Sequence, residues 1–119
     1  MKKEACYYFS AFLLALATGC ATGRGDFIDT SRLSLVKENR AQITKNGATY
    51  ALDTYIILFQ RPYYVLVRQN LNKTIELSEA EAIATEYIKP RGCTTPINRR
   101  PDLDRSNSTK TQWLIGIEC

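Results

Sequence analysis

Ala41-Gln42-Ile43-Thr44-Lys45-Asn46-Gly47-Ala48-Thr49-Tyr50-Ala51-Leu52 decides the fold. Ala41 and Ile43 alternate with Gln42 and Thr44, and Tyr50 and Leu52 alternate with Thr49 and Ala51. A period of two is the pattern of a strand with one buried face. Asn46-Gly47 stands between the runs, and both residues tolerate the positive φ of a two-residue hairpin turn. Such a loop pairs Ile43 with Tyr50 and Ala41 with Leu52. All four side chains then share one face, as a fixed register demands.

Two more apolar runs follow, Tyr55 to Phe59 and Tyr63 to Val67, separated by Gln60-Arg61-Pro62. Proline cannot donate to a sheet ladder, so the break reads as a turn or a strand edge. Near-continuous β-branched and aromatic residues predict two strands, at least one covered on both faces. After the polar turn Asn70 to Thr74, Ser78 and Glu81 stand at capping-box spacing, where hydroxyl and carboxylate satisfy each other's backbone amides. Ala80, Ile83, Ala84, Tyr87 and Ile88 then form a helical stripe. Lys89-Pro90 and Gly92 end it. Gln112 to Glu118 alternates around Trp113, Ile115 and Ile117, a final strand. Upstream, residues 27–39 are ambiguous; Leu33, Leu35 and Val36 favour a strand. The expectation is an α+β domain with a small antiparallel β-sheet of four or five strands and one packed helix, in the order β-β-β-β-α-β.

The N-terminus has a different character. Lys2 and Lys3 precede about 13 mostly apolar residues, Ala5 to Ala17, a run short of the roughly 20 that span a bilayer. Small residues then lead to a cysteine: Leu16-Ala17-Thr18-Gly19-Cys20. This stretch resembles the lipobox of bacterial lipoproteins, with Ala17 where that family usually carries Leu. The resemblance covers only residues 1–20. It implies cleavage before Cys20, diacylglycerol on the Cys20 thiol and a fatty acyl group such as palmitate. The competing reading is a buried N-terminal helix with an incidental cysteine. Ala21 is not the Asp that retains such proteins at the inner membrane in enterobacteria, so the resemblance implies the outer membrane, facing the periplasm. The expected organisation is a signal peptide at 1–19, a lipid-anchored tether at 20–31 and one domain at 32–119. The Gly- and Thr-containing tether includes Arg24-Gly25-Asp26, the tripeptide integrins read, in a setting where that reading carries little weight.

Composition narrows the chemistry. The chain of 119 residues has a net charge of +4 and no histidine. Removal of Lys2, Lys3 and Glu4 leaves +3, too mild and too dispersed for a nucleic-acid binder. The missing imidazole removes the commonest proton-transfer group near neutral pH and the Ser-His-Asp and Cys-His pairs. No metal site or cofactor is expected. With Cys6 removed and Cys20 acylated, Cys93 and Cys119 remain. In an oxidising compartment a disulfide is their simplest fate, with free thiols or a redox or metal site as the alternatives. Such a staple would contribute on the order of 3.5 kcal/mol by loop closure.

Thr94 to Thr111 is long, polar and aperiodic, and loops of this length are usually functional or disordered. Arg99, Arg100, Arg105 and Lys110 make it basic, although Asp102 and Asp104 interrupt it. These four residues are the possible contact loop for lipid head groups or for a partner. The leading expectation is a lipid-anchored envelope protein, a non-catalytic protein- or surface-binding module whose partners are the membrane and another envelope protein. The alternatives are a histidine-free enzyme acting through Asp, Glu or Ser on an envelope substrate, and a small-ligand or inhibitor module.

Overall fold

A computed structural model describes residues 26–93 and 96–119 of the chain. The expected signal peptide and Cys20 lie outside the described residues. The fold is α+β: an antiparallel sheet with one helix packed on one face. Its elements are β1 (Ser34–Lys45), β2 (Ala48–Ile56), β3 (Tyr63–Gln69), α1 (Leu77–Ile88), β4 (Asn98–Arg99), β5 (Arg105–Ser106) and β6 (Gln112–Glu118). The order across the sheet is β1-β2-β3-β6, with β4 and β5 pairing successive stretches of the free edge of β6.

The hairpin forms in the register its pattern dictates. Ala41 faces Leu52 and Ile43 faces Tyr50. Asn46 and Gly47 both take positive φ, 54° and 81°. The β-β-β-β-α-β order is corrected to β-β-β-α-β-β-β. The strand expected over 27–39 and the first hairpin strand are one element, β1, interrupted by a bulge. Val36 pairs with Thr54 and Ala41 with Leu52, so Lys37 to Arg40 stand opposite the single residue Asp53. The second hairpin strand runs on into Tyr55–Ile56, and the rest of the expected Tyr55–Phe59 strand is a turn. The two added strands come from the long polar loop.

Strand alternation sorts the side chains. Tyr50, Leu52, Val65, Val67, Ile115 and Ile117 face the helix and meet Ala80, Ile83, Ala84, Tyr87 and Ile88 in the main core. Each fully buried Leu, Ile or Val on this face contributes roughly 1.5–3 kcal/mol. The capping box does not form. The helix begins at Leu77, with Glu76 at the cap and no side-chain capping bond, so Ser78 already lies inside the first turn. Glu81 instead accepts a hydrogen bond from Arg99 Nε at 2.6 Å.

The bulge joins the two faces of the sheet. Asn39 turns toward the helix: its carbonyl accepts from the Tyr87 hydroxyl at 2.5 Å, and its amide donates to Thr54 Oγ1 at 3.3 Å. Burial pushes the Tyr87 phenol above its ordinary pKa. Arg40 turns to the opposite face and donates from Nε to Asp53 Oδ1 at 2.8 Å. Asp53 is buried and is also held by Arg68 at 2.8 Å. A buried carboxylate is tolerated only when paired in this way.

Candidate functional site

The described chain begins with a clamp. The Asp26 carboxylate accepts from the Ser108 amide at 2.8 Å, from the Ser108 hydroxyl and from the Thr109 hydroxyl at 2.7 Å. The Asn107 side-chain amide donates to the Asp26 carbonyl at 3.2 Å. The Ser108 and Thr109 hydroxyls favour the ionised form and hold the Asp26 carboxyl below its ordinary pKa. The chain then crosses the back of the sheet, from the starting end of β6 to the start of β1. On the way Ile28 and Leu33 pack against Tyr64, Leu66 and Leu114. Residues 26–31 were expected in the tether, with the domain beginning at residue 32. They form a strap on the folded unit, which therefore includes Asp26 to Ser31.

This strap gives the molecule two distinct ends. The near end carries Asp26, the start of β6, the end of β3 and the start of α1. The far end carries the turn from β2 to β3, where the Gln60 amide donates to the Ile57 carbonyl at 3.0 Å. Leu58 and Phe59 sit at the centre of that turn, Leu58 63% exposed and Phe59 fully so. Phe59 has a φ of 68°, in the left-handed region. There a Cβ crowds the following carbonyl, at a cost of about 1 kcal/mol. An aromatic side chain displayed at that cost, and fully exposed among the described residues, is suited to contact something else.

Beside the turn, on the back face, lies a hollow of about 250 Å³. Leu33, Ile57, Tyr64 and Leu114 supply its apolar lining, and Arg32, Arg105 and Asp29 supply its charge. The Ser31 hydroxyl and amide hold the Asp29 carboxyl below its ordinary pKa, with a smaller contribution from Arg32 and Arg105. Among the described residues, neither arginine has a carboxylate oxygen within salt-bridge distance. Two guanidinium groups against one carboxylate leave the hollow with a net positive charge, suited to a carboxylate or phosphate attached to an apolar group.

The four basic residues of the expected contact loop are not brought together. Arg99 is internal: it bridges Glu81 and Asp104, each at 2.6 Å, and donates to the Gly116 carbonyl. Asp104 Oδ1 in turn accepts from the Gly116 amide at 2.9 Å. Arg100 pairs with Asp102 at 2.9 Å and with Glu118 at 3.1 Å. These two arginines are spent on holding the loop against β6. Arg105 lines the hollow, and Lys110 lies at the near end, in a turn whose carbonyl accepts from the Ile75 amide at 2.8 Å. Cys93 and Cys119 are joined, with Cα atoms 5.6 Å apart, tying the segment after α1 to the end of β6.

No family model, curated protein or solved structure matches the chain. Fold and site together define a class only: a small antiparallel sheet with one helix, strapped across its back and displaying an apolar turn beside a cationic hollow. Sequence reading missed Arg32, Leu58, Phe59 and the clamping role of Asp26. The unbroken run Ile56-Ile57-Leu58-Phe59 has no alternation, so it does not distinguish a buried strand from a turn. Arg32 and Asp26 acquire their roles from partners about 70 to 80 residues away, which no local spacing reports.

Proposed function

We propose that the chain is a lipid-anchored protein of the bacterial cell envelope. It is cleaved before Cys20, acylated there and held at the outer membrane facing the periplasm, where it acts as a non-catalytic module that binds another envelope protein. The observation that carries the binding role is the turn Ile57 to Gln60. Its Leu58 and Phe59 are exposed, and Phe59 occupies strained backbone, beside a hollow with two arginines. Aromatic anchors and arginines are the side chains most often found at the energetic centres of interfaces. A partner that inserts an acidic group into the hollow and packs an apolar pocket over Phe59 fits both features.

Two buried or half-buried carboxylates are engaged in ion pairs. Asp53 is held between Arg40 and Arg68, and Asp104 by Arg99 and the Gly116 amide. The hollow itself gives some support to a second reading, a module for a small anionic ligand, since its lining is mixed and its volume suits a small molecule.

A photo-crosslinking residue at position 59 in the native envelope tests the main reading. One envelope protein should be captured, and Leu58→Ser or Arg105→Glu should abolish the adduct. An adduct that survives both changes, or no adduct at all, overturns the protein-binding role. The anchor is tested separately: the mature chain should carry the mass of its acyl groups on Cys20, and Cys20→Ser should leave it unprocessed or soluble.

A further inference from the structure

We infer that the near end of the domain is a membrane-contacting face. It lies on the anionic phospholipid of the leaflet that holds the anchor, so the far-end turn points away from the bilayer. The inference rests on acylation of Cys20 and goes beyond it by fixing the orientation of the domain.

Three observations converge. First, the strap is fixed at its first described residue. Asp26 is clamped to Ser108 and Thr109, and only five residues separate it from Cys20. Six Cα steps reach at most roughly 20 Å, whatever their conformation. An acylated Cys20 in a bilayer therefore keeps this end close to the head groups. Second, of the five large exposed apolar residues in the described chain, three belong to this end: Phe27, Leu71 and Leu77, at 63%, 50% and 43% exposure. Phe27 and Asn72, the neighbour of Leu71, line one hollow together with Asp26 and Thr109. The other two, Leu58 and Phe59, are at the far turn, about 30 Å away along the nine residues of β2. Third, Lys73 and Lys110 sit on the same end, exposed and with no carboxylate within salt-bridge distance among the described residues. Apolar side chains that enter the interface, flanked by two lysines that meet lipid phosphate, make an interfacial surface, with the exposed Glu76 beside Leu77 opposing part of that attraction.

Amine footprinting of the full acylated protein tests this. The protein is placed in vesicles of mixed phosphatidylglycerol and phosphatidylcholine and treated with a membrane-impermeant lysine reagent. Lys73 and Lys110 should lose reactivity relative to vesicles of phosphatidylcholine alone. Lys37 and Lys89, exposed toward the far end, should react equally in both. Each near-end lysine should shift the docked population by roughly fivefold. Lys73→Glu should therefore restore much of the reactivity of Lys110, as should Leu71→Ser or high salt. Acyl mass on Cys20 combined with equal reactivity of all four lysines in the two vesicle types would overturn the orientation and leave the lipoprotein reading standing. Absence of acyl mass would overturn both.

Discussion

The two faces of the sheet are held by different physics. The helix side is mostly apolar: Leu52, Val65, Val67, Ile115 and Ile117 meet the buried stripe of α1 with almost no solvent contact, and Thr54, Asn39 and the Tyr87 hydroxyl form one hydrogen-bonded cluster at its edge. The back face has a small apolar patch, Tyr64, Leu66 and Leu114, surrounded by ion pairs and covered by a strap and a loop. One face is closed by burial that nothing local can replace. The other is closed by polar latches, each of which can open alone. In this chain the features suited to contact with other molecules, the hollow and the clamped strap, lie on the latched face.

Breaking the staple should produce the largest effect. Cys93 is part of the helix-side core, and replacing both Cys93 and Cys119 with Ala should destabilise by on the order of 3.5 kcal/mol. Urea unfolding of the oxidised protein against the double variant measures it. Non-reducing mass analysis should first show the chain two hydrogens lighter than its reduced form, and two alkylatable thiols would refute the crosslink. Leu52→Ala should follow at about 3 kcal/mol, because its site is fully buried and enclosed by both strands and helix.

On the back face the equivalent removal should cost less. Asp53→Asn leaves two arginines without their carboxylate, but Arg40 and Arg68 are 64% and 40% exposed and can turn to water. A loss of about 2 kcal/mol is expected, below the usual cost of breaking a buried pair. A cost equal to that of Leu52→Ala would erase the contrast between the faces.

The smallest global effect belongs to the clamp. Asp26→Ala should leave the unfolding midpoint nearly unchanged while amide exchange over residues 27–33 accelerates. Acid should do the same. Hydrogen bonds from Ser108 and Thr109 favour the ionised carboxylate in the folded state, so its pKa there lies below the unfolded value of about 3.9. The clamp's contribution is therefore present above that value and is lost as pH falls through the lower folded one. Exchange in the strap, corrected for intrinsic rate, should rise below about pH 4 before the helix-side core opens. Simultaneous opening of strap and core would mean that the back face is not separately latched.

Gly116 shows how closely the loop is fitted to β6. An added Cβ would lie 2.7 Å from the Arg100 carbonyl and 2.7 Å from Leu103 Cβ. The polar segment 96–111, which composition reads as an aperiodic loop, is thus a packed edge of the sheet. The sequence offered no sign of this, because Arg99 and Asp104 look like solvated charges until Glu81 and Gly116 are placed beside them. The hairpin, by contrast, was legible to the residue. Asn46-Gly47 and the alternation around it act within a dozen residues. The helical stripe was equally legible, and its start was misread because a Ser and a Glu three apart occur inside a helix as readily as at its cap. The bulge at Lys37 to Arg40 was hidden for the same reason as the loop: its charged residues are explained only by Asp53 and Tyr87 on other elements.

Sequence alone determined what is local and periodic: the Asn-Gly turn, the two-residue rhythm of the hairpin, the helical stripe and the chemistry excluded by the absence of histidine. Only the tertiary structure decided which charges are structural and which are available, where the strap lies and at which end it is clamped. The physical reason is range. Turn geometry and amphipathic period are set by neighbours a few residues apart, whereas an ion pair, a clamp or a hollow exists only after distant segments are brought within ångströms of each other.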